Sequence, residues 1–252
     1  MIYGFVGKAQ HGKSFCTEVW QWLDDYHTQY EGDMSGIDYV KAVMRNRDRK
    51  LLSDWEQKSF AHKLKQVCSI ITGEPLSKWE CNDFKSSTSP FRLDESGFIT
   101  YRKLLQFIGT DLFRKQLCDS IWTDAMFVDY DNIKSKWLVS DVRFENKADA
   151  IKNQGGKLIR VLKTECGKGP CKEFITEVTN EWRKVLGRVV SDKEYNNQWV
   201  KNFYQYTDLS DTHISERELE NIYCDYFIIA DEGDIDSLII QVRRIMDKER
   251  VI

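Results

Sequence analysis

Ile2-Tyr3-Gly4-Phe5-Val6-Gly7-Lys8-Ala9-Gln10-His11-Gly12-Lys13-Ser14 is the stretch on which the reading of the whole chain turns. Residues 2–6 are a short apolar, β-rich run, residues 7–14 fit G-x-x-x-x-G-K-[ST] at every position, and residues 13–30 have helical character. Strand, glycine-containing loop and helix in that order are the context the pattern requires. The glycines allow a tight loop whose backbone N–H groups converge on phosphate oxygens, and the dipole of the following helix favours the same negative charge. Lys13 is placed to reach the β- and γ-phosphates of a nucleotide, and the Ser14 hydroxyl to help hold Mg²⁺. An ordinary strand-to-helix turn is the competing reading, and the register of strand, loop and helix argues against it.

Working outward, three further apolar runs at 137–140, 157–162 and 226–230 each adjoin a helical segment. That alternation predicts an α/β fold in three layers, a central parallel sheet covered by helices. A fifth strand at 58–61 is weak on pattern and gains credit from a helix expected over 62–72, closed by Gly73. Other helices are expected over 101–119, 146–154 and 235–248. In the last, Ile235, Leu238, Ile239, Val242, Ile245 and Met246 recur at helical spacing with Arg243, Arg244 and Lys248 among them, which describes an amphipathic closing helix. Residues 163–211 are too long for a usual connection and rich in Lys, Glu, Trp and Tyr, the mark of a functional insertion.

Composition narrows the class. A chain of 252 residues with 37 basic and 40 acidic side chains has a net charge of −3, which excludes a disordered chain and argues against wholesale polyanion binding. Small phosphorylated ligands stay open. The seven cysteines contain no C-x-x-C pair, and no histidine stands near Cys166 and Cys171 at zinc-ligand spacing, so reduced thiols are the simpler reading. The amino terminus turns to glycine and lysine too early for a signal peptide, and no apolar run approaches the roughly 20 residues of a bilayer span. The expectation is a soluble cytoplasmic protein with one domain over 1–252 and an inserted segment at 163–211.

Three more blocks carry polar groups suited to chemistry. Residues 101–122 bring Arg102, Lys103, Gln106, Thr110, Asp111, Arg114 and Trp122 into about five helical turns, a set suited to a phosphate monoester and a stacked base. The same pattern equally suits a solvated helix with Leu104, Leu105 and Ile108 in the core. At 137–146, Asp141 is expected just beyond a buried strand, at the sheet edge where open α/β folds bind ligands, with Arg143 beside it to face phosphate. A helix-capping Asp with a surface Arg is the alternative. At 210–216, His213 and Glu216 are three apart, Thr212 or Ser215 suits a helix cap, and nothing defines a catalytic triad.

Taken together, GKAQHGKS, YRKLLQFIGTDLFRKQLCDSIW, SDVRFENKADAIKNQGGKLIRV, and SDTHISE with CDYFIIADEGDIDSLIIQVRRI resemble the phage-type deoxynucleoside monophosphate kinases, in this order and over most of the chain. SFAHKLKQ and CNDFKSS are weaker echoes. The resemblance implies a three-layer P-loop kinase fold and a cytoplasmic, Mg²⁺-dependent enzyme that transfers the γ-phosphoryl group of ATP to a deoxynucleoside 5′-monophosphate. It implies ATP contacts at Gly7, Ala9, Gln10, His11, Gly12, Lys13, Ser14 and Phe15. It places Lys8, Arg102, Gln106, Thr110, Asp111, Trp122, Asp141, Arg143 and Glu145 around the acceptor. Lys13, Arg143 and Asp141 are then the catalytic candidates, with Ser14 and Asp141 toward the metal.

Two departures stand out. The family often has Glu where this chain has Lys147, so Glu145 is the carboxylate left to substitute, and Lys163 stands where Arg is common. The insertion at 163–211 is read as a lid, with Lys168, Lys172, Arg183 and Arg188 as cations to meet phosphates. The expected partners are small nucleotides rather than a nucleic-acid polymer or a membrane, with a homodimer left open. A hydrolytic P-loop switch or a nucleotide-binding adaptor acting on a macromolecule would use the same loop without an acceptor pocket.

Overall fold

All five residues of β1 (Ile2–Val6) are buried, and its two faces explain what packs on either side. Tyr3 and Phe5 join one apolar layer with Trp20, Leu23, Val40, Ile239 and Val242. Gly4 faces the other way, where a Cβ would stand 2.6 Å from Ile151 Cδ1 and 2.8 Å from Leu158 Cδ2. Only glycine lets that second layer come so close. A strand covered on both faces belongs in the middle of a sheet.

The computed structural model describes residues 1–8, 10–46, 48–92, 97–164 and 218–252. After β1 come α1 (Lys13–Gln29), α2 (Gly36–Arg45), β2 (Glu56–Lys58), α3 (Ala61–Thr72), α4 (Asn82–Ser86), β3 (Thr88–Arg92), β4 (Phe98–Thr100) and α5 (Tyr101–Gln106). A π-helical segment (Phe107–Arg114), α6 (Ile121–Phe127), β5 (Trp137–Val142), α7 (Glu145–Asn153), β6 (Lys157–Thr164), β7 (Tyr226–Asp231) and α8 (Ile235–Lys248) complete the order. The chain divides into two compact units, Met1–Gln57 with Lys136–Ile252, and Lys58–Ser135.

In the larger unit the strands run β2-β5-β1-β6-β7, and β1 pairs in parallel with β5 and β6, as β6 does with β7. Helices α1, α2 and α8 share the apolar layer of Tyr3 and Phe5, and Ile151 of α7 packs on the Gly4 face, which completes the three expected layers. The closing helix spans the expected residues, capped by Asp234, whose carboxylate accepts from the Ser237 N–H. Helix α2 was not foreseen, although Ser35 caps it through the Asp38 N–H and its apolar residues recur at helical spacing.

Two boundaries are corrected. The weak strand lies at Glu56–Lys58 rather than 58–61. The Ser59 hydroxyl accepts from the Ala61 N–H and its carbonyl from the His62 N–H, so the chain is already turning into α3. The run expected at 137–140 extends to Val142, which puts Asp141 inside β5 instead of beyond it.

At the opposite end of the sheet, Glu249 ties three strands to the end of α8. Its carboxylate accepts from Lys157 Nζ at 2.6 and 2.7 Å, from Tyr3 at 3.2 Å and from the Tyr226 hydroxyl. Burial alone would raise the Glu249 pKa, but Lys157 and the two tyrosine hydroxyls outweigh it and hold it below its ordinary 4.5. A carboxylate with a depressed folded-state pKa stabilises the protein above its unfolded value, and that contribution disappears as pH falls through the folded one. Glu249→Gln is expected to cost about 2 kcal/mol at pH 7 and to flatten the loss of stability below about pH 4.5, measured by urea unfolding across pH. Equal acid sensitivity in variant and wild type would contradict this.

The smaller unit has its own core of Cys68, Trp79, Ile99, Tyr101, Leu104 and Ile108. The helix expected over 101–119 is α-helical only to Gln106 and then widens into the π segment, where the Lys115 N–H reaches back five residues to the Thr110 carbonyl. Tertiary contact accompanies the wider winding. Gly109 packs so closely that a Cβ would sit 2.7 Å from Leu64 Cδ2, and its carbonyl accepts from Trp122 Nε1 at 2.8 Å. Such segments often mark functional sites.

Candidate active site

The loop from Gly7 to Ser14 leaves the carboxyl end of the central strand, the edge at which open α/β sheets bind ligands. Its two glycines are required for different reasons. At Gly7 a Cβ would lie 2.5 Å from the Val161 backbone oxygen, whereas Gly12 has open space but a φ of +84°. Gln10 also has a positive φ of 62°, so the loop is tightly turned at its tip. Ala9 lies outside the described residues.

Lys13 is the most constrained side chain here. It is 7% exposed, and its ammonium donates to the carbonyls of Gly7 at 2.7 Å and Lys8 at 2.5 Å. The first turn of α1 has no acidic residue, and its N-cap Gly12 offers no side-chain acceptor. A helix N-terminus without a cap favours an anion, and a cation inside the same loop adds to that field. Ser14 is exposed in this turn and Lys8 is 4% exposed. Cys16 is buried behind the loop, and burial pushes its thiol up to about 12 against a smaller pull from Lys13, which removes it as a nucleophile at neutral pH.

Beside the loop, β5 is irregular where it matters. Gly4 is opposite Val139 but Val6 is opposite Val142, so Ser140 and Asp141 together face Phe5 as a bulge. A bulge redirects side chains. Leu138 belongs to the layer of Tyr3, while Val142 packs against Gly4 on the other face. Asp141 stands in this bulge, with Lys147 Nζ of α7 3.9 Å from its Oδ2. Arg143 follows the strand, half-buried, and Glu145 is exposed at the start of α7. Lys147, noted above as a departure, therefore stands next to Asp141.

On the other side of the loop is a cavity of about 250 Å³. Gln10, His11, Gly12 and Phe15 form one wall, and Lys163 with Asp231–Ile235 forms another, over an apolar floor that includes Val161 and Ile228. His11 Nδ1 is 3.4 Å from the Val161 carbonyl, which holds the loop tip to β6. Lys163 is paired with Glu232 at 2.6 Å. The sequence reading assigned the loop wall but missed residues 231–235. Their signal was their place after the last parallel strand, at the same sheet edge as the phosphate loop.

In the smaller unit, Arg102, Gln106 and Thr110 are exposed along one continuous helical rod. Asp111 is paired with Lys115 at 2.6 Å. Trp122 is half-buried, bonded to Gly109 and packed on Phe113 at a ring separation of 5.1 Å. Lys168, Lys172, Arg183, Arg188, Thr212, His213, Ser215 and Glu216 lie outside the described residues, as does the lid expected at 163–211 apart from its first two positions. Cys166 and Cys171 lie outside them too. Among the described residues no helix is long and apolar enough to cross a membrane, and no group of three or more His, Cys, Asp or Glu side chains could hold a metal ion.

The family model for deoxynucleotide monophosphate kinase matches residues 33–184. The loop at 7–14 lies before that match, so loop geometry and family likeness are separate observations. A protein of Acanthamoeba polyphaga mimivirus named "Putative deoxynucleotide monophosphate kinase" is 33% identical over 121 residues, 42% of this chain. The chain spans 59% of that relative's length.

Proposed function

The chain belongs to the deoxynucleotide monophosphate kinase family, and on that premise we propose that it transfers the γ-phosphoryl group of ATP to a deoxynucleoside 5′-monophosphate, giving the diphosphate. The observation that carries the donor half is Lys13, buried within the loop at the uncapped start of α1. In this reading the nucleotide's phosphates lie along the loop, and its base and sugar occupy the adjoining cavity between Phe15 and residues 231–235. The acceptor half rests on the family match and on Arg102, Gln106, Thr110 and Trp122.

In the reaction the bond from the γ-phosphorus to the β,γ-bridging oxygen breaks, and a bond forms to a phosphate oxygen of the acceptor. That oxygen is already anionic at pH 7, since a phosphate monoester's second pKa is about 6. No strong base is needed, and Asp141 acts by orientation and charge rather than by taking a proton. Lys13 and Arg143 offset the charge that spreads over the migrating group. Mg²⁺ bound with the nucleotide would neutralise the β- and γ-phosphates, and Ser14 and Asp141 would be the residues to hold it. Such an ion takes most of its ligands from phosphate and water rather than from a protein cage.

The test is ADP formation with ATP, Mg²⁺ and each deoxynucleoside monophosphate in turn. Turnover that depends on an acceptor is expected. Hydrolysis at the same rate without one would favour a switch ATPase, and binding without turnover an adaptor.

A further inference from the structure

Leu104 and Ile108, four residues apart, belong to the core of the smaller unit. Continued α winding would bring Leu112 there next, yet Leu112 is 44% exposed and Phe113 packs against that core in its place. The π segment has shifted the phase of the helix by one residue. The shift acts on the outer face as well. Residues spaced by four on an α-helix step about 40° past a full turn each time, so a polar row with that spacing winds off its face. A turn closed by bonds to the fifth residue holds more residues than an α turn, and that excess is absorbed. Arg102, Gln106 and Thr110 are exposed at this spacing, and the step from Gln106 to Thr110 lies in the π segment.

Such winding is rare and needs contacts that hold it. Gly109, buried immediately before Thr110, supplies them from two sides. Toward α3, a Cβ on Gly109 would stand 2.7 Å from Leu64 Cδ2 and 3.5 Å from Cδ1. Toward α6, the Gly109 carbonyl accepts from Trp122 Nε1 at 2.8 Å. Trp122 is itself fixed, with its ring on Phe113 at 5.1 Å. The turn before it is tied back to the π segment by Arg114, which donates twice to the Asp119 carboxylate, at 2.9 and 2.5 Å.

We propose that Gly109 is a positioning residue of the acceptor site: seated against Leu64 and bonded to Trp122, it holds the π winding that keeps Gln106 and Thr110 in line with Arg102. The assignment of that polar row to the acceptor rests on the kinase reading; the grip on the winding rests on the contacts of Gly109 itself. Trp122 acts here through its N–H, a role separate from the base stacking that its place in the sequence suggested.

The experiment compares the whole wild-type chain with Gly109→Ala, Trp122→Phe and the double variant Gly109→Ala with Leu64→Ala. Each is followed by steady-state kinetics, by calorimetric titration with deoxynucleoside monophosphates and by hydrogen exchange over residues 107–118. Both single variants are expected to speed exchange in that stretch and to raise the KM for the acceptor about three- to tenfold, the weight of one hydrogen bond. The KM for ATP should stay constant. Leu64→Ala removes the atoms that the new Cβ would meet, so the double variant should recover most of the acceptor affinity. Melting checks the phase of the helix: Leu112→Ala should leave the melting temperature unchanged, and Phe113→Ala should lower it by roughly 5 °C or more. Faster exchange over 107–118 with an unchanged acceptor KM would overturn the positioning role, as would a double variant that recovers nothing, even if wild type transfers phosphate normally. Conversely, monophosphate binding that weakens in Gly109→Ala and returns in the double variant, in a protein that transfers nothing, would overturn the kinase reading and leave the positioning role standing.

Discussion

Lys13→Met is expected to lower kcat/KM for phosphoryl transfer by roughly 10²–10³-fold, the range found when one preorganised donor to a developing anion is removed. The reasoning is local. Lys13 is buried, its stem packs within the loop, and its ammonium already lies on the carbonyls of Gly7 and Lys8. Methionine keeps much of the stem but removes the only charge the side chain brings to the start of α1. Two carbonyls lose a donor, a stability cost of about 1–2 kcal/mol that leaves the fold intact. The check is steady-state kinetics beside a thermal melt. A folded variant with wild-type turnover would show that the loop does not handle the transferred group.

Gly7→Ala is expected to have the largest effect on stability of any one-carbon addition in the loop. The added Cβ would stand 2.5 Å from the Val161 oxygen, a backbone atom of a central strand that cannot swing aside as a side-chain tip can. Relief requires moving β6 or the loop, at about 1–3 kcal/mol, and a moved loop also misplaces the carbonyl that holds Lys13. Activity and melting temperature should fall together. Gly12→Ala is the informative comparison, because its Cβ meets nothing and only the φ of +84° opposes it. That variant should lose about 1 kcal/mol and keep a melting temperature nearer to wild type. The reverse order would contradict the account of the loop.

Most of the larger unit could be read from residues that answer to one rule at a time. Residues 2–6 are apolar throughout because both faces of the strand are covered, and Ile235 to Met246 repeat every three or four residues because one helix face is buried. Helix α2 was legible by the same logic, in Ser35 with Asp38 at its start and Tyr39, Val40 and Val43 on its inner face, but it was overlooked. Other features arise only when segments meet. The bulge at Ser140 and Asp141 is a property of the pairing with β1, invisible in β5 alone. The π winding of 107–114 differs from an α-helix by one residue in each hydrogen bond and accompanies contacts to Leu64 and Trp122, distant in sequence.

The site followed the same division. The loop at 7–14 was legible because its residues are contiguous and fit one pattern. The cavity wall at 231–235 was not, since it gains meaning from a loop far along the chain. Lys147 is intermediate. Its identity was noticed as a departure, but its position 3.9 Å from Asp141 shows which group it affects.

The most direct test of the central claim follows the phosphorus itself. With γ-labelled ATP, Mg²⁺ and a deoxynucleoside monophosphate, the label should appear in the deoxynucleoside diphosphate in step with ADP, and should stop appearing when the acceptor is omitted. Label recovered only as inorganic phosphate, at a rate indifferent to the acceptor, would contradict it.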